Sequence, residues 1–150
     1  MRKVTTGAVA ALFLLAVTGC TAGGSTDGAT RVGEQSVAEA CDIAGGEAGN
    51  AEAALSEALD LIDAEDYSGA SDVIRSTTDD LDDALTEVTN MRVRDELEDL
   101  TDDLKEVGLL IDQMQAAADD APLLAEINDD LVDDTQDVRE SADELTALCA

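Results

Sequence analysis

The sequence predicts an all-α protein. The expected fold is an antiparallel up-down-up-down four-helix bundle closed by a disulfide, set behind a cleaved signal peptide and a flexible tether. Three observations predict it. From residue 36 onward, apolar and small residues recur at alternating four- and three-residue spacing, the seam of packed amphipathic helices. Aromatic residues are 1% of the chain, with no Trp. The core must therefore be built from Ala, Leu, Val, Ile and Met, which suits close helix packing and not a β-sandwich. Cys41 and Cys149 lie near the outer ends of the first and last stripes, and an even number of up-down helices brings such ends together.

The chain begins Met1-Arg2-Lys3, followed by an apolar run from Gly7 to Val17. That run is too short for a bilayer-spanning helix, which needs about 20 residues. Basic start, apolar core and small residues have the layout of a secretory signal. Its end, Val17-Thr18-Gly19-Cys20, resembles the lipobox of bacterial lipoproteins: an aliphatic residue, a small residue, Gly or Ala, then Cys. The resemblance covers residues 1–20. It implies cleavage before Cys20, a lipid on the Cys20 thiol, and anchoring at the extracytoplasmic face of the cell membrane. The Ala/Asp-rich, Lys-poor style of the remainder is similar to that of small actinobacterial lipoproteins. That likeness of style carries no functional residues over.

Removing residues 1–19 takes away Arg2 and Lys3 and leaves six basic residues against 36 acidic ones, a net charge of about −30. Tyr67 becomes the one aromatic residue, and the chain has no His. Such acidity argues against nucleic acid, whose phosphates need a basic footprint. It argues equally against docking on anionic lipid headgroups. Export places Cys41 and Cys149 in an oxidising compartment, where pairing is the default. No His or basic neighbour is present to activate either thiol.

Residues 20–35 are rich in Gly, Ser and Thr and carry no periodicity. They read as a tether reaching some 20 Å, at about 5–6 Å × √n. The acidic helical domain is expected over 36–150. Its first helix opens on Ser36 and Glu39, a capping-box pair, and carries the stripe Val37, Cys41, Ala44, Ala48, Ala51, Leu55, Ala58 and Ile62. Gly45, Gly46 and Gly49 weaken it by up to about 1 kcal/mol each relative to Ala, allowing a close crossing or a bend. Glu65-Asp66-Tyr67-Ser68-Gly69 breaks the pattern, with Asp66 as the next N-cap. The second stripe is Ala70, Ile74, Thr77, Leu81, Ala84 and Val88, supported by Leu85; the third is Val93, Leu97, Leu100, Leu104, Val107, Ile111 and Met114. The two stripes differ in phase by two residues near Thr89-Asn90. This argues for a turn, although residues 67–118 also read as one long helix. Asp119-Asp120-Ala121-Pro122 is a helix boundary, with Pro122 in the first turn of the last helix. That helix carries Leu124, Ile127, Leu131, Thr135, Val138, Ala142, Leu145 and Cys149.

Acidic doublets recur at Asp79-Asp80 with Asp82-Asp83, Glu98-Asp99 with Asp102-Asp103, Asp119-Asp120, and Asp129-Asp130 with Asp133-Asp134. On a helix they stack as rows of carboxylates. A tight Ca²⁺ site needs six to eight oxygens around one point, usually from a loop. The nearest approach to an EF-hand loop, Asp63-x-Glu65-x-Tyr67-Ser68, lacks the third acid and the Gly. The doublets therefore read as solvated helix faces with weak counterion binding; Asp79, Asp80, Asp83, Asp129, Asp130 and Asp133 are the first places to seek a metal. Without His, no Ser-His-Asp or Cys-His site can form, and there is no zinc motif or phosphate-binding Gly loop. No cofactor and no catalytic residue is expected. Tyr67 reads as a helix-end packing residue or a lone contact residue for a partner, and Leu109, Leu110 and Leu123 either broaden the core or form a patch for a partner.

The function expected is thus non-catalytic: a lipid-anchored cell-envelope surface protein acting in protein interaction or as a structural module. Two other roles fit the charge. One is binding of divalent cations or polyamines at the cell surface. The other is an immunity or exclusion factor that captures a basic toxin or phage component. A protein partner, where one exists, is expected to be basic.

Overall fold

The computed structural model describes residues 35–150. The expected signal peptide, the Cys20 attachment point and all of the tether except Gln35 lie outside the described residues. Among these the protein is all-helical: α1 (Val37–Ala44), α2 (Glu47–Asp63), α3 (Tyr67–Glu87), α4 (Met91–Ala116) and α5 (Ala121–Cys149).

The first two segments are halves of the first expected helix, which is interrupted rather than continuous. Gly45 (φ −66°, ψ −16°) and Gly46 (φ −84°, ψ −23°) keep right-handed dihedrals, so the chain bends without reversing. A Cβ at Gly45 would lie 2.6 Å from the Cys41 carbonyl oxygen, and only glycine accepts that approach. The bend directs α1 mainly onto α4, while α2 lies against α3 and α5. With α1 and α2 taken as one interrupted helix, the described residues form four helices.

Each boundary has a local chemical cause. Ser36 and Glu39 form the reciprocal capping box at α1. At the end of α2 the Asp66 N–H bonds to the Leu61 carbonyl and the Glu65 N–H to that of Ile62, both at 2.9 Å. This is a Schellman closure in which Glu65, at φ 61°, occupies the left-handed position normally given to glycine. Asp66 then caps α3, accepting from Gly69 N–H at 3.0 Å. The turn suggested by the phase slip is present: Val88 and Asn90 are extended, and Asn90 Oδ1 accepts from Val93 N–H. Residues 67–118 therefore form two helices. Asp120 caps α5 and Pro122 lies in its first turn.

Neighbouring helices share one apolar core: α2 packs on α3, α3 on α4, α4 on α5, and α5 returns to α2. The large buried side chains are Leu55, Ile74, Leu81, Leu97, Leu100, Leu104, Ile111, Leu131 and Leu145. On α1 and α2 the wall is mostly alanine: Ala40, Ala44, Ala48, Ala51 and Ala58. In the second stripe Thr78, not Thr77, is the buried threonine. Its hydroxyl returns to the Ile74 carbonyl at 2.9 Å, as Thr101 does to Leu97 at 2.6 Å. Among the described residues no buried side-chain N or O lacks a partner.

Cys41 and Cys149 are disulfide-bonded, with Cα atoms 5.4 Å apart, closing a loop of 108 residues. In the chain-entropy account a loop of this length stabilises by about 4.7 kcal/mol.

Candidate functional site

The place where the chain enters the domain is fixed by hydrogen bonds. Gln35, which the sequence assigns to the tether, is held on the α3–α4 connection. Thr89 N–H donates to Gln35 Oε1 at 2.7 Å, and Gln35 Nε2 donates to the Glu87 carbonyl at 3.1 Å. Asn90 Nδ2 donates to the Gln35 carbonyl at 3.0 Å. Asn90 thus uses its amide oxygen on the start of α4 and its amide nitrogen on the incoming chain. The disulfide joins α1 to the end of α5, so covalent and hydrogen-bonded restraints both act on α1 and the residue that leads into it.

The charged groups most constrained by the fold lie on the two flanks of α4. Toward α3, Ser71 Oγ donates to Asp112 at 2.7 Å and accepts from an Arg75 guanidinium nitrogen at 3.0 Å. Arg75 also meets Asp72 at 3.0 Å. Further along, Lys105 of α4 reaches Asp82 of α3 at 3.1 Å and Asp102 at 3.7 Å. Ile74, Gly108 and Leu109 lie between these polar groups and give the α3–α4 groove an apolar floor, with a volume of about 370 Å³. A Cβ at Gly108 would approach Ile74 Cγ2 to 3.3 Å, so the glycine keeps α4 close to α3.

Toward α5 the residues are acids. Ser141 Oγ donates to Asp103 at 2.5 Å. A groove of about 250 Å³ is lined by Asp99, Asp103, Asp137, Glu140, Ser141 and Glu144. The Glu96 carboxyl is pushed above its ordinary value by burial first, then by Glu144 across the seam and by Asp99 and Asp95 on its own helix. Asp134 of α5 is pushed up for the same reasons: burial, then Glu106, Asp137, Asp130 and Asp103. Glu39 moves the other way. It accepts from the Ser36 N–H and hydroxyl, which holds its carboxylate below the usual range.

The acidic doublets are therefore not all solvated faces. Asp79, Asp80, Asp83, Asp129, Asp130 and Asp133 are exposed, as expected, whereas Asp103 and Asp134 are half-buried between helices. Among the described residues no group of three or more acids or cysteines is placed to hold a metal ion. Leu110 and Tyr67 pack against the core, while Leu109 and Leu123 are exposed. The serine–aspartate bridges and the half-buried acids escaped the sequence reading. Their signal was a polar residue two to four positions from a stripe residue, a pattern too common to single them out. Among the described residues no helix is long and apolar enough to cross a membrane.

No protein-family model matches the chain, and neither a curated protein nor a solved structure matches it.

Proposed function

We propose that the protein is a non-catalytic, lipid-anchored surface protein of the bacterial cell envelope, serving as a protein-interaction or structural module. In this reading residues 1–19 are removed, Cys20 carries the lipid, and the helical domain is an antiparallel up-down-up-down bundle. The observation that carries it is Val17-Thr18-Gly19-Cys20 behind a basic start and a short apolar run. The Cys41–Cys149 disulfide adds support, because structural disulfides belong to oxidising compartments. So do the short connections between helices, which favour antiparallel neighbours. The partner chemistry that fits is cationic, since acidic flanks attract basic surfaces and repel acidic ones.

The uncompensated acids between α4 and α5 favour a second role, weak binding of polyamines or divalent cations. Calorimetric titration with spermidine and with Ca²⁺ separates the two. Saturable binding of either cation in low salt supports the second role; no measurable binding of either there removes it.

The anchoring is tested with Cys20→Ala in a bacterial host that processes lipoproteins. The wild-type chain should partition with membranes and carry an acylated N-terminal Cys20 by mass spectrometry; the variant should do neither. A wild-type mature chain without lipid contradicts the proposal.

A further inference from the structure

Carboxylates of α4 and α5 face one another across their seam, and among the described residues none of those facing acids is ion-paired to a cation. From α4 come Glu96, Asp99, Asp103 and Glu106; from α5 come Asp134, Asp137, Glu140 and Glu144. Ser141 is the hydroxyl among them, and it serves Asp103. The surrounding elements supply no compensation. α1 offers Glu39 and Asp42, and α2 offers Glu47, Glu52, Glu57, Asp60 and Asp63, with no Lys or Arg on either. α3 carries Arg75, which meets Asp72, with Asp79, Asp80, Asp82, Asp83 and Glu87. Lys105 is turned to Asp82 and Asp102. The remaining cations, Arg92 and Arg94 on α4 and Arg139 on α5, make no ion pair among the described residues.

We propose that the α4–α5 seam is a proton-operated clasp: in mild acid Glu96 of α4 and Asp134 of α5 take up protons against the carboxylates opposite them, and the two helices hold together more firmly than at neutral pH. An ionised carboxylate only accepts hydrogen bonds, so two facing ones repel; protonating one supplies an O–H donor to the other. Burial favours the same neutral form, because desolvation penalises the charge.

The direction with pH follows from linkage. Glu96 and Asp134 have pKa values raised in the fold. Each binds its proton more tightly folded than unfolded. Its stabilisation is complete below the unfolded value and is lost as pH rises through the folded value. Glu39 opposes this at lower pH, because its depressed value means that stability is lost as pH falls through it. Firmness should therefore increase from neutral pH down toward the ordinary carboxylate range, about 4, and fall below it. The inference stands whether or not the chain is lipid-anchored.

The test compares two variants that each remove two negative charges. Glu96→Gln with Asp134→Asn empties the seam; Glu52→Gln with Glu57→Gln alters exposed acids of α2. Melting temperatures are measured between about pH 7 and about pH 5, in the range just above ordinary carboxyl titration. The wild-type and α2 variant should gain several degrees over that interval, and the seam variant should start higher and gain less than half as much. Equal gains in all three would overturn the proposal, because general self-repulsion would then explain the acid response. A direct reading comes from carboxyl-carbon NMR titration of the wild-type protein. Midpoints for Glu96 and Asp134 above the ordinary carboxyl values support the clasp, and midpoints at or below them refute it.

Discussion

α4 carries a serine–aspartate bridge to each neighbour, and the two bridges have different surroundings. Ser71–Asp112 toward α3 includes Arg75 and is followed by the Lys105–Asp82 pair. Ser141–Asp103 toward α5 lies among further carboxylates. Apolar packing is similar on the two sides, with fully buried Leu and Ile residues on all three helices. The difference is electrostatic. In a chain with 8 basic and 36 acidic residues, a few cations placed on one seam leave the other to be held by its core, while the one covalent bond among the described residues ties α5 to α1 and not to α4.

The largest effect should come from cutting that bond. Cys41→Ala or Cys149→Ala should each destabilise by about 4 to 5 kcal/mol on the loop-entropy estimate, as read by denaturant unfolding. Because both remove the same cross-link, the double variant should cost no more than either single one. Additive losses would mean that the two cysteines act separately.

The serine bridges offer a smaller and sharper contrast. Ser141→Ala should cost about 1 to 2 kcal/mol, since it removes a donor to a half-buried carboxylate. Ser71→Ala should cost less, because the Arg75 guanidinium lies 3.0 Å from the hydroxyl being removed and can turn to Asp112. Equal costs, or a larger one at Ser71, would show that Arg75 contributes nothing to the α3 side.

The sequence and the structure agree most closely where the physics is local. The stripes of α4 and α5, the capping box at Ser36, the cap Asp66, the boundary at Asp119-Asp120-Ala121-Pro122 and the turn before Asn90 all follow from spacing and side-chain chemistry within one helix. The interruption at Gly45-Gly46 was half legible: two glycines mark a weak point, but the pull of α4 on α1 depends on tertiary contact. The Schellman turn was hidden because Glu65 occupies the position where glycine would have signalled it. Periodicity gives the face a residue lies on, not what stands opposite. Thus Asp103 and Asp134 look the same in sequence as the exposed Asp129 and Asp130. The same limit separates Asp82, which meets a lysine, from Asp134, which meets Glu106.

That last pair gives the most direct test of the unequal-seam account. Asp134→Lys and Asp82→Lys make the same substitution in the body of a helix, so the change in helix propensity largely cancels between them. At position 134 the lysine would face Glu106, Asp103, Asp130 and Asp137; at position 82 it would replace the partner of Lys105. In low salt Asp134→Lys should be the more stable of the two by about 0.5 to 1 kcal/mol, the scale of a partly exposed ion pair. The gap should close in 1 M NaCl, where the Debye length falls to about 3 Å. Equal melting temperatures in low salt, or a higher one for Asp82→Lys, would contradict the account.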